Sequence, residues 1–159
     1  MIVDRTNIEF AKISDAVEIG LMSKNDIEYG LGWRYTPDRV TKLIRSPSKN
    51  VVVARRDSEL VGFGVMTYQE DLSNLDLLAV KRNFRRMKVG SHIVDWLEKV
   101  AVTAGVFNVF VQVRTRNTGA VMFYESIGYS VMDEDKNYYS GVEAAVLMVK
   151  SLRRMYRAT

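Results

Sequence analysis

The chain has 159 residues and a mass of 18.2 kDa, with 47% hydrophobic and 26% charged residues. That is the composition of a globular chain, not a disordered one. It has no cysteine and one histidine, His92, which excludes disulfides, a cysteine nucleophile, thiolate metal centres and any cluster of histidines. The net charge is +4 and the pI near 9.3, an excess that favours anionic partners without naming them.

Residues 8–13, IEFAKI, alternate weakly and suggest a first strand. Residues 14–30, SDAVEIGLMSKNDIEYG, read as one helix with Ser14 as N-cap and Ala16, Ile19, Met22 and Ile27 inward. A second short helix follows, TPDRVTKLIR, with Thr36 as cap, Pro37 at the first position and Pro47 beyond the end. NVVVARR and ELVGFGVMTYQE form strands about a turn at Asp57-Ser58, and Gly62 and Gly64 signal a close backbone approach. NLDLLAV, residues 74–80, is a further strand. Val89 to Ala104 carries Ile93, Trp96, Leu97, Val100 and Ala104 at helical spacing and stops at Gly105. Then come VFNVFVQV as strand, TGAVMFYESI as helix closed by Gly128, and YSVMDE and EAAVLMVKSL as closing strands. The order β, α, α, β, β, β, α, β, α, β, β implies an α/β protein with a mixed central sheet flanked by helices.

One domain over residues 1–159 is expected, with a basic tail at about 151–159. The N-terminal residues lack the apolar core of a signal peptide, and no run approaches the roughly 20 apolar residues that cross a bilayer. A cytoplasmic protein with no membrane partner is therefore expected.

Two strand-to-helix segments can carry chemistry. The first, VKRNFRRMKVGSHIVDW, feeds a basic loop into a helix N-terminus, an arrangement that holds anions through main-chain N–H groups and the helix dipole. Gly90 permits close approach, but neither GxGxxG nor GxxxxGK[ST] is present. The same residues also suit an ordinary turn with a solvated rim. The second segment, QVRTRNTGAVMFYESIGY, puts Asn117 at a helix start and Tyr124 on that helix. Here a simple cap and a packed aromatic are equally consistent. Two such segments following neighbouring parallel strands would place both at the carboxyl edge of a sheet, where ligands bind.

The ordered set resembles the GCN5-related N-acetyltransferase (GNAT) superfamily, and within it the ribosomal-protein N-terminal alanine acetyltransferases. The cofactor motif reads Arg85-Arg86-Met87-Lys88-Val89-Gly90, followed by Ser91, and the second signature runs from Asn117 through Ala120 and Tyr124 to Gly128-Tyr129. NYYSGVEAAVLMVKSL resembles the closing hairpin of such enzymes. The resemblance implies the acyl-CoA N-acyltransferase fold, acetyl-CoA as cofactor and direct transfer to a primary amine. Residues 86–91 would hold the pyrophosphate, Leu78, Ala79 and Val80 would orient the pantetheine arm by strand-like bonding, and Asn117 would contact that arm. Tyr124 would protonate the departing thiolate. Trp33, Arg34 and Tyr35 would form a substrate wall, Tyr138 and Tyr139 would grip the acceptor, and Asp76 and Gln112 would border it.

Two departures stand out. Lys88 replaces the first glycine of the cofactor motif, and Gln112 stands where the alanine acetyltransferases carry Glu. A glutamine cannot serve as a base near neutral pH. Asp76, Glu70, Asp71 and His92 stay open for that role, His92 lying off the helix stripe. The acceptor is a protein or peptide N-terminal amine, or a small amine such as a polyamine, amino acid or antibiotic. A noncatalytic acyl-CoA-binding or nucleic-acid-binding module is the rival class, although no zinc-finger, recognition-helix or RNP-like pattern supports nucleic acid. Homodimerisation is common in the superfamily, but no residue here demands it.

Overall fold

The computed structural model describes residues 5–139 and 143–153, with backbone alone for 137–139. Strand β1 (Thr6–Phe10) leads through a 3-10 turn (Ile13–Asp15) into α1 (Ala16–Met22), which continues as a π-helical turn (Ser23–Ile27). Then follow α2 (Pro37–Arg45), β2 (Lys49–Arg56), β3 (Glu59–Tyr68) and β4 (Ser73–Val80). A 3-10 turn (Arg82–Phe84) precedes α3 (Val89–Thr103), and β5 (Asn108–Arg114), α4 (Thr118–Ser126), β6 (Ser130–Tyr139) and β7 (Glu143–Ser151) complete the chain. The strands form one sheet in the order β1-β2-β3-β4-β5-β7-β6, in which only β4 and β5 are parallel. The mixed sheet and the element order are those expected from the sequence.

Several local expectations are corrected. Ser14 is exposed and caps nothing; the Asp15 carboxylate instead takes the Lys12 N–H at 2.8 Å and the Arg55 guanidinium at 2.7 Å. The single helix over 14–30 is three segments, because the Glu28 N–H bonds the Ser23 carbonyl five residues back at 2.7 Å. The first strand lies at 6–10, earlier than 8–13. In α3 the fully buried stripe is Val89, Ile93, Val94, Leu97, Glu98 and Ala101; Trp96 is half-buried against Phe10, and Ala104 is exposed beyond the helix end. Thr36 does cap α2, accepting the Arg39 N–H, and Asp57 and Ser58 both take positive φ, as a two-residue hairpin turn requires.

The sheet separates two apolar clusters. One joins Ile93, Leu97 and Ala101 of α3 and Tyr124 of α4 to Val52, Val61, Met66, Leu75, Val109 and Val111. The other joins Ala16, Ile19 and Val40 to Val53, Phe63, Val65, Leu77 and Ala79. The glycines of β3 allow α3 to lie directly on the sheet: a Cβ at Gly64 would stand 2.7 Å from Ile93 Cγ2. In β4 the register slips by one residue. Val65 faces Leu77 but Met66 faces Leu75, so Asp76 is the extra residue of a bulge. Among the described residues no helix is long and apolar enough to cross a membrane.

Candidate functional site

The parallel pairing of β4 and β5 ends at Leu75↔Val111, although β4 runs on to Val80 and β5 to Arg114. Two cavities open along this divergence. A cavity of about 890 Å³ lies toward α3, walled by Leu78, Ala79, Val80, Arg82, Phe84, Arg85, Arg86, Val89, Gly90 and Phe123 among others. A second, of about 220 Å³, lies toward the segment joining α1 to α2, walled by Glu28, Arg34, Tyr35, Asp76, Gln112 and Arg114 among others. Asp26, Tyr29, Leu78, Asn117, Ala120 and Tyr124 border both, so the two form one cleft that narrows at these residues.

The α3 side is shaped by backbone. Arg86 and Lys88 have positive φ of 65° and 62°, with Met87 between them on the ordinary side. This alternation of sign is the pattern of anion-holding nests. Lys88 is therefore a side chain in a left-handed position that glycine would fill without strain. The first intrahelical bond comes from His92 N to Lys88 O at 3.0 Å, so the N–H groups of Val89, Gly90 and Ser91 precede the ladder. A Cβ at Gly90 would meet Phe123 Cζ at 3.2 Å, which keeps the helix start bare and close to α4. The Arg85 Nε donates to the Val80 carbonyl at 3.0 Å, and its Nη2 lies 3.8 Å from Asp26 Oδ1. The side chains of Met87, Lys88 and Ser91 lie outside the cavity wall; Met87 Sδ instead accepts from Arg56 Nη1.

At the waist, Asn117 Oδ1 accepts the Ala120 N–H at 3.1 Å and so caps α4. The Tyr124 ring meets Phe123 and Tyr129 edge-on, with centroids 5.1 and 5.5 Å away. Buried Glu98 accepts from Tyr129 Oη at 2.8 Å and from Lys150 Nζ at 2.9 Å, tying α3, the turn between α4 and β6, and β7 together. Burial and the Glu98 charge push the Tyr129 hydroxyl well above the ordinary tyrosine range.

The smaller cavity is built from interlocked side chains. Buried Glu28 accepts from Ser23 Oγ (2.9 Å), Arg34 N (2.8 Å) and Tyr35 N (3.2 Å), which folds the segment after the π turn back on itself. Burial, and next the charge of Asp76, raise the Tyr35 hydroxyl above its usual pKa. Asp76 accepts from Thr67 Oγ1 and from Asn74 Nδ2 (2.8 Å), and Lys49 Nζ stands 3.7 Å away. Asn74 and Gln112 exchange two amide hydrogen bonds of 3.0 and 2.9 Å across the gap between β4 and β5.

The cleft thus gathers Leu78, Ala79, Val80, Arg85, Arg86, Val89, Gly90, Asn117, Ala120, Tyr124, Tyr35, Asp76 and Gln112. Trp33 lies outside the walls, its Nε1 donating to the Gly20 carbonyl at 3.1 Å with Lys24 over the ring. Glu70 and Asp71 are exposed in the β3–β4 turn, at the other end of β4 from the anion loop, and do not line the cleft. Tyr138 and Tyr139 lie on β6, but their side chains fall outside the described residues. Sequence reading passed over Asp26, Glu28, Tyr29 and Arg114. The loss of apolar period after Met22 was the available signal for the first three. Arg114 is buried with its guanidinium 4.2 Å from the Tyr29 ring centroid and Glu143 beside it.

The Acetyltransferase (GNAT) family model matches residues 21–129. The chain belongs to this family. The [Ribosomal protein bS18]-alanine N-acetyltransferase of Salmonella typhimurium is 31% identical over 99 residues, 58% of this chain and 64% of the relative, so the chain spans less than two thirds of that protein. Among solved structures, that of Ard1 from Thermoplasma volcanium matches with a TM-score of 0.83 and 26% identity, covering 93% of this chain and 98% of the other. The PaiA N-acetyltransferase from Thermoplasma acidophilum, in complex with coenzyme A, shares the fold at a TM-score of 0.81 and 20% identity, over 92% and 98% of the two chains.

Proposed function

We propose that the chain is an acetyl-CoA-dependent N-acetyltransferase whose acceptor is the N-terminal amine of a protein or peptide. The observation that carries this reading is the joining of a basic, backbone-lined cavity to a smaller polar one at Asn117, Ala120 and Tyr124, where β4 and β5 part. The donor set suits acetyl-CoA: three arginines and the bare start of α3 for its phosphates, and the free edge of β4 for its amide arm. The name of the Salmonella relative supports a protein acceptor.

When bound, acetyl-CoA supplies an activated acetyl group and a sulfur leaving group. Residues 86–91 hold the pyrophosphate by main-chain N–H groups, Arg85 adds charge, and Leu78, Ala79 and Val80 orient the arm by backbone bonds. Asn117, by capping α4, fixes the position of Tyr124. Tyr124 Oη holds the proton that the leaving sulfur takes. Direct transfer needs no covalent intermediate on the protein, in keeping with a chain that has no cysteine.

A small-amine acceptor is the second reading, favoured by the modest size of the acceptor cavity, about 220 Å³. The deciding experiment incubates the purified protein with labelled acetyl-CoA, a library of peptide N-termini and a panel of polyamines and amino acids, and locates the label by mass spectrometry. Label on peptide α-amines is expected. Label on small amines alone transfers the assignment to the second reading, and acetyl-CoA binding without turnover on any amine overturns both.

A further inference from the structure

We propose that Asp76 takes the proton from the acceptor amine, and that the Asn74–Gln112 amide pair is the device that aims it. The inference rests on the transferase reading and deepens it. Asp76 borders the smaller cavity and sits on the β4 bulge, which turns an extra residue out of the regular ladder beside the opening between β4 and β5. Its carboxylate is held from both sides. Thr67 Oγ1 and Asn74 Nδ2 donate to different oxygens, and Lys49 Nζ donates to the same threonine at 2.6 Å. Asn74 is fixed in turn, because Gln112 both accepts from its Nδ2 and donates to its Oδ1.

That reciprocity needs an amide at 112. A glutamate there could accept from Asn74 but could not donate to its Oδ1, and it would place a second negative charge one residue's reach from Asp76. Gln112 is then a positioning residue suited to a carboxylate on β4, and not a base that has lost its charge. The proton balance closes. The ammonium gives one proton to an Asp76 carboxylate oxygen, which later releases it to water. The second proton, lost from nitrogen as the amide forms, returns to Tyr124 Oη and replaces the one that Tyr124 gives to sulfur. The other charged or titratable groups facing this space are Lys49 of β2, Asp26 of the π-helical turn, Glu28, Tyr29, Arg34 and Tyr35 of the segment leading to α2, Arg114 of β5 and Tyr124 of α4.

The test measures kcat, KM for each substrate and the pH profile of kcat/KM for wild type, Asp76→Asn, Asp76→Glu and Gln112→Glu, with CoA affinity by calorimetry. Asp76→Asn is expected to lower kcat by about 10²- to 10⁴-fold with CoA affinity unchanged, and Asp76→Glu to recover part of the loss. Gln112→Glu is expected to lower kcat and move the acidic limb of the profile to higher pH. Should Asp76→Asn fail to fold, Gln112→Glu decides alone: a gain in kcat, or an unmoved limb, overturns the assignment. Wild-type turnover matched by Asp76→Asn overturns the assignment and leaves the transferase reading standing. A wild type inactive on every amine overturns both.

Discussion

The half of the cleft beside α3 draws its polarity from main-chain N–H groups and three arginines, and its shape from Gly90 and two left-handed residues. The half beneath the α1–α2 segment draws its polarity from side chains on four strands, bonded in series from Lys49 to Gln112, and from a loop folded about Glu28. Apart from its arginines, the first is built of features that belong to the backbone. The second depends on which residues meet, so on the proposed function it is where a common fold would acquire an individual acceptor. On the proposed function, binding and selection fall to separate parts of one opening, with Tyr124 at the boundary.

Substitution at that boundary carries the largest expected effect. Tyr124→Phe should reduce kcat by about 10²- to 10⁴-fold while CoA affinity, read by calorimetry, stays within twofold of wild type. A comparable loss of CoA affinity would merge the two halves into one. Next come paired variants, one on each side. Arg85→Ala with Arg86→Ala removes charge-assisted contacts worth about 1.5–3 kcal/mol each, so KM for acetyl-CoA should rise at least tenfold and KM for the acceptor should not. Glu28→Ala releases two backbone N–H groups and Ser23; KM for the acceptor should rise about tenfold, the equivalent of one charged hydrogen bond, with acetyl-CoA unaffected. Crossed effects would break the division.

Smaller effects sharpen it. The Tyr129 hydroxyl is held neutral in the folded chain beyond the pH at which an unfolded tyrosine ionises, near 10.0. Its contribution is therefore complete below that pH and is lost as pH rises above it. Urea midpoints should fall more steeply between pH 10 and 11 in wild type than in Tyr129→Phe. Last, Lys88→Gly relieves a left-handed side chain and should stabilise the fold by about 0.5–1 kcal/mol in urea melts. Unchanged KM for acetyl-CoA in that variant would show that the loop works by its backbone.

The same division explains what the sequence could reveal. The loop before α3 stood out as a basic run, a glycine and a helix start in fixed order, although an ordinary turn suits the same residues and the family resemblance decided between them. Tyr124 and Asn117 were legible because one helix fixes their spacing. The acceptor half was legible only in part: Tyr35, Asp76 and Gln112 were expected beside it, but not the partners that hold them. Glu28 looks like a solvent-facing residue at a helix end until its carboxylate is seen to take two N–H groups of the next segment. Gln112 looks like a missing base until Asn74 is placed opposite it. Glu98 sits in an apolar helical stripe, and only Tyr129 and Lys150, from distant parts of the chain, make its burial tolerable.

The bulge at Asp76 has one further consequence. Along β4 buried and half-exposed positions alternate without a break from Ser73 to Val80, so the strand looks like a regular ribbon. Yet Leu75 and Leu77, two residues apart, supply opposite cores, the first beneath α3 and α4 and the second beneath α1 and α2. The strand changes parity at Asp76, and neighbours of identical chemistry belong to different mechanical units. Leu75→Ala should loosen amide protection in α3, and Leu77→Ala should loosen it in α1 and α2. Their stability losses should add as if the two sites were far apart.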